Sequence, residues 1–67
     1  MKIVLNNRNE EFAGDQYTVS EIFKEMSFTF PRVIVKLNGR LIKKPQYPET
    51  IVTNGDNLEV IHLISGG

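Results

Sequence analysis

The sequence closes on Ser65-Gly66-Gly67, directly after the apolar stretch LEVIHLI at 58–64. A strand is ordinarily ended by a turn or a capping residue, and here two residues without side chains follow instead. Glycine has no Cβ, so a Gly-Gly end is thin and reaches φ values that other residues avoid. Fully extended, residues 65–67 project about 10 Å past the strand end. Such a finger can enter a narrow active site on another protein while the body stays outside, and the group it offers is the α-carboxylate of Gly67. A random sequence with about 7% glycine ends in two glycines only about one time in two hundred. A frayed tail or an appended scar would account for the same residues without chemistry.

Other reactive constellations are scarce. His62 is the only histidine and there is no cysteine. Zinc wants three or four ligands, and no serine or carboxylate is evidently paired with His62 as a general base. A structural or interface histidine is the better reading. The missing cysteines exclude a disulfide framework, a thiolate metal site and a cysteine nucleophile. No Gly-rich phosphate loop or paired-carboxylate motif occurs. By its own side chains the chain is not expected to be an enzyme, nor to bind a metal or cofactor.

Eight basic and eight acidic residues cancel, which argues against nucleic-acid binding through bulk charge. One basic cluster stands out, Arg40, Lys43 and Lys44. It reads as a solvated loop or as a docking patch for an acidic partner. Met1 leads straight into KIVLN without the apolar core of a signal peptide. No apolar run approaches the roughly 20 residues of a membrane span. A cytoplasmic protein that does not engage membranes is expected.

The elements that would position the tail follow from pattern. With 67 residues and 40% apolar content, one domain over 1–67 is expected, with one sheet on one helix and a flexible tail at 65–67. KIVLN alternates as a half-buried strand. NRN reads as a turn, and EEFAG as a returning strand around Phe12. TVSEIFKEM is the helix: Thr18 and Glu21 form a capping box. Val19, Ile22, Phe23 and Met26 form one apolar stripe. Pro31 closes the segment. In RVIVKLNGRLI, Asn38-Gly39 marks a two-residue type I′ hairpin turn. Val33, Val35 and Leu37 face the helix, with Ile34 and Lys36 outside. KKPQYPET is a loop with a short helical turn near Tyr47, itself a partly buried anchor. TNGD is a second turn before the last strand.

That last strand is the most apolar, so it belongs in the centre, beside the first. The result is a β-grasp arrangement, an α+β fold in which a mixed sheet of four to five strands clasps one helix. Alternation turns Leu58 and Val60 toward the helix and Ile61 and Leu63 to the opposite face, with Ile34 nearby. Large apolar residues on a face that should be wet form a candidate partner-binding patch.

VKLNGRLI followed by TIVTNGDNLEVIHLISGG resembles the ThiS family, the ubiquitin-like sulfur carriers of thiamin thiazole biosynthesis. The likeness spans essentially the whole chain. It is concentrated in Asn38-Gly39, Gly55-Asp56 and Gly66-Gly67. The resemblance implies a β-grasp fold and a mechanism. An E1-like, ThiF-type adenylating enzyme uses ATP to activate the carboxylate of Gly67. Sulfur derived from a cysteine desulfurase then converts it to a thiocarboxylate, which is offered to a ThiG-type thiazole synthase. Gly67 would be the modified residue, and Gly66 and Ser65 would thread the partner's channel. Ile61, Leu63, Ile64 and Ile34 would dock the body. The segment at 10–33 matches in pattern rather than identity, and His62 is not typical of the family. The small subunit of molybdopterin synthase shares fold and chemistry. A ubiquitin-like protein modifier and a plain β-grasp interaction domain also stay open.

Overall fold

The computed structural model describes residues 1–29 and 32–63. Strand β1 (Lys2–Leu5) turns back into β2 (Arg8–Glu11). The turn is the pair Asn6-Asn7, both left-handed at φ 52° and 66°, as a type I′ hairpin requires. The returning strand therefore starts earlier than the expected EEFAG segment. Leu5 pairs with Arg8 and Lys2 with Glu11, while Phe12 follows the strand into the core. Asparagine tolerates the left-handed region, so two residues close the turn and Arg8 is freed for the ladder.

A short strand β3 (Gln16–Thr18) leads directly into the helix α1 (Val19–Glu25). The expected capping box is present. Glu21 N–H donates to Thr18 Oγ1 at 3.0 Å, and Thr18 N–H donates to Glu21 Oε1 at 2.8 Å. The first helical amides would otherwise be orphaned. Those of Val19 and Ser20 donate to the carbonyls of Thr50 (3.0 Å) and Tyr47 (3.2 Å). The helix start thereby fastens the loop that carries Tyr47.

The helix ends well before Pro31, which lies outside the described residues, so proline is not what stops it. Ser27 adopts φ 56°. Its N–H donates to Lys24 O at 3.2 Å, and that of Phe28 donates to Phe23 O at 2.8 Å. This is a Schellman ending, and the Phe23 and Phe28 rings close it edge to face at 5.6 Å.

After α1 come β4 (Val33–Leu37) and β5 (Arg40–Ile42), joined by Asn38-Gly39 at φ 51° and 85°. A 3₁₀ turn at Lys44–Gln46 precedes β6 (Ile51–Thr53) and the last strand β7 (Asn57–His62). The main sheet has five strands in the order β2-β1-β7-β4-β5. β7 runs parallel to β1 and antiparallel to β4. The central place expected for the last strand is where it lies, and the fold is the β-grasp. β3 and β6, absent from the expected order, pair antiparallel as a second sheet of two strands.

The core lies between α1 and the inner face of the main sheet. Val19 and Ile22 are fully buried, in one cluster with Leu5, Val35, Leu37 and Leu58. Phe23 and Met26, the rest of the expected stripe, are partly buried and pack against it.

Asparagine side chains extend the pairing of β7 where strand geometry runs out. Asn6 N–H donates to Leu58 O at 3.0 Å, and Asn6 Oδ1 accepts from Val60 N–H at 2.8 Å. Asn6→Gly keeps the left-handed turn and deletes only the acceptor. It is expected to cost about 1–2 kcal/mol, read as a lowered urea midpoint at unchanged slope. An unchanged midpoint would contradict a holding role for that side chain.

Candidate functional site

The two ends of β7 differ in character. At its start, Asn57 N–H donates to Asn38 Oδ1 at 2.8 Å, and Asn38 Nδ2 donates to Asp56 Oδ1 at 3.1 Å. Asp56 Oδ2 also accepts from Thr53 N–H at 2.9 Å. Gly55, at φ 88°, donates its N–H to Lys2 O at 2.7 Å. Asn38-Gly39 and Gly55-Asp56, distant in sequence, are thus one hydrogen-bonded pole. Their work is to lock the start of β7. They do not reach its far end, from which the tail departs.

At that far end the apolar residues emerge. Along β7, Leu58 and Val60 are buried, whereas Ile61 is 42% exposed and Leu63 is 43% exposed. The alternation expected from the sequence holds from Leu58 to Ile61, after which His62 and Leu63 are both exposed. Ile61 sits directly opposite Ile34 on β4, which is half-buried. Leu63 N–H donates to Arg32 O at 3.0 Å, so the pairing with the β4 side continues one residue past the strand. Two of the expected docking residues, Ile34 and Ile61, therefore fall on one sheet face, and Leu63 is exposed just beyond the strand. Ile64, Ser65, Gly66 and Gly67 lie outside the described residues.

An open groove of about 490 Å³ is lined by Ile34 of this face together with Phe23, Tyr47 and Leu63. The rings of Phe23 and Tyr47 stand 5.3 Å apart, tilted by 41°. Burial pushes the Tyr47 phenol above its ordinary 10.0, because desolvation disfavours the phenolate. Tyr47 is thus the partly buried loop anchor expected from the sequence.

The basic cluster proves to be divided. Lys43 and Lys44 line the groove together with Arg32. Arg40 pairs with Leu37 across the Asn38-Gly39 turn, at the other end of the ladder. Arg32 was not among the candidate residues. Continuing the antiparallel register from Ile34 opposite Ile61 by two residues would have placed it beside Leu63. His62 lies opposite Val33 and is exposed. Among the described residues, no group of three or more His, Asp or Glu converges as a metal site would require, and no helix is long and apolar enough to cross a membrane.

A family model described as the ThiS family matches residues 3–67. The chain is 27% identical over 63 residues to the sulfur carrier protein ThiS of Bacillus subtilis, covering 94% of this chain and 96% of that protein. It is also 31% identical over 67 residues to a thiazole synthase of Paramagnetospirillum magneticum. That match takes in the whole of this chain but spans only 20% of the relative's length. Among solved structures, the crystal structure of the thiamine biosynthesis protein ThiS from Geobacter metallireducens superposes with a TM-score of 0.89 at 23% identity, complete over both chains. A solution structure of a thiamine biosynthesis protein from the same organism gives 0.80 at 25% identity, covering all of this chain and 88% of that one.

The two faces of β7 should separate stability from binding. Leu58→Ala, at a fully buried position, is expected to cost about 2–5 kcal/mol. Ile61→Ala, at a half-exposed one, should cost no more than about 1 kcal/mol. Chemical denaturation checks both, and equal losses would contradict the division.

Proposed function

This chain belongs to the ThiS family, and from that premise we propose that it is a sulfur carrier for thiamin thiazole synthesis whose reactive group is the carboxylate of Gly67. The chain is a co-substrate for other enzymes rather than an enzyme itself, and it needs no cofactor of its own. Its place of action is the cytoplasm.

The chemistry follows from the weakness of a carboxylate as an electrophile. Its charge is delocalised and oxide is not a viable leaving group. A ThiF-type adenylating enzyme remedies this: a carboxylate oxygen of Gly67 attacks the α-phosphorus of ATP and pyrophosphate leaves. The acyl-adenylate now carries AMP as its leaving group. The outer sulfur of a persulfide formed by a cysteine desulfurase attacks the carbonyl carbon and expels AMP. A thiol then attacks the acyl disulfide, leaving as a disulfide and freeing the thiocarboxylate. The product is a glycyl thiocarboxylate, whose soft sulfur is the nucleophile presented to a ThiG-type thiazole synthase. The resemblance of this whole chain to one fifth of a protein named thiazole synthase supports that last partner.

The observation that carries the reading is the family match through residue 67, joined to a central strand whose exposed end is apolar. Ile34, Ile61 and Leu63 offer a face on which a partner can seat the body. Ile64 would extend that face, and Ser65, Gly66 and Gly67 would thread the partner's channel. Glycine at 66 matters because a channel that fits bare backbone leaves no room for a Cβ substituent.

Gly66→Val is therefore expected to fold normally and to abolish ATP–pyrophosphate exchange with a ThiF-type enzyme. Normal exchange by that variant would remove the steric argument. A ubiquitin-like modifier would instead give higher-mass conjugates in lysate that vanish when Gly67 is deleted. Absence of such conjugates, together with exchange by the unaltered chain, favours the carrier.

A further inference from the structure

The groove beside Leu63 holds charge in a way that the whole chain does not. The protein has eight cationic and eight acidic residues. Arg32, Lys43 and Lys44 line this one groove, and no Asp or Glu does. Its apolar part is substantial too, with Phe23 and Tyr47 forming a tilted aromatic pair at 5.3 Å. The groove volume, about 490 Å³, lies within the range of ligand-binding clefts.

The wall that carries the lysines is built as a fixed element. Lys43 N–H donates to Gln46 Oε1 at 2.8 Å, and Thr50 Oγ1–H donates to Gln46 O at 2.8 Å. Tyr47 O accepts from the helix amide of Ser20 at 3.2 Å. The loop from Lys43 to Thr50 is thereby held against the start of α1. The lining also includes Leu63, the last described residue, so anything seated here sits beside the end of the described chain.

We propose that this groove docks an acidic segment with an aromatic or aliphatic anchor, carried by the adenylating enzyme that receives the tail. The anchor packs on Phe23 and Tyr47 while flanking carboxylates meet Arg32, Lys43 and Lys44. This rests on the carrier reading for the identity of the partner, but the chemistry of the segment comes from the groove. Complementary charge of this kind chiefly raises the encounter rate and fixes the register of docking, which suits a carrier that must release after each reaction. The groove shares Ile34 with the Ile34–Ile61 sheet face and so extends that contact region.

The test uses the full chain, labelled with ¹⁵N and titrated with a capped Glu-Glu-Phe-Glu-Glu peptide. Saturable amide shifts are expected at Arg32, Lys43, Lys44 and Tyr47, and none with the Lys-Lys-Phe-Lys-Lys counterpart. Lys43→Glu combined with Lys44→Glu should weaken the peptide by about tenfold or more, while Arg40→Glu, outside the groove, stays within about twofold. Lys43→Gln with Lys44→Gln should fall between, and an unchanged amide spectrum elsewhere verifies folding. No saturable shift, or an equal loss from Arg40→Glu, overturns the proposal. The same double reversal should raise KM with a ThiF-type enzyme by about tenfold. If the unaltered chain gains sulfur and the double reversal leaves KM unchanged, the groove assignment fails and the carrier reading stands. If the peptide maps to the groove but the unaltered chain is never adenylated, the carrier reading fails and the acidic-segment site stands.

Discussion

The structure depends on holding its last strand in the middle of the sheet. β7 must pair on both sides, with β1 in parallel and with β4 in antiparallel register, and only then does the chain leave the body from a central, rigid position. The parallel side is the weaker of the two: the ladder joins only Val4 to Asn57 and Leu5 to Leu58. Side-chain amides make up the difference. Asn6 takes the amide of Val60 and Asn38 takes that of Asn57, so β7 is clamped from both neighbours, by Asn38 at its start and by Asn6 further along. Each asparagine sits in a left-handed turn, where its short side chain can reach across to the next strand.

From that clamp follows a division of labour between faces and ends. The inner face of β7 gives Leu58 and Val60 to the core beneath α1. The outer face gives Ile61 to solvent, opposite Ile34. The pole at Asn38 and Asp56 is polar and fully engaged with itself, while the opposite end gathers exposed apolar side chains and unbalanced positive charge. A domain of this size has little core to spare, so large apolar residues left on the outer face cost solubility without adding much stability. Their placement at this end of β7 is what the proposed partner-binding face requires.

Much of this was legible from local chemistry. The Thr18–Glu21 capping box, the Asn38-Gly39 turn and the alternation of β7 are each encoded within a few residues, and each appears as expected. What stayed hidden was encoded by distance. Gln16–Thr18 and Ile51–Thr53 are three residues each, too short to show a period, and become strands only because α1 and its loop bring them together. The end of α1 falls where TVSEIFKEM ends, but its cause was hidden, because Ser27 rather than a glycine takes the left-handed position and the visible stop was Pro31. The basic cluster was grouped by sequence proximity, whereas the hairpin places Arg40 at one end and Lys43 and Lys44 at the other. Arg32, just ahead of β4, joins them because β4 pairs with β5.

The central claim is that Gly67 carries sulfur as a thiocarboxylate. Its most direct test is the intact mass of the purified chain, before and after incubation with ATP, a ThiF-type adenylating enzyme and a sulfide source. The account predicts a mass gain equal to replacing one oxygen by sulfur, localised by fragmentation to Gly67. No gain, with the enzyme active on its own carrier in the same buffer, would contradict it.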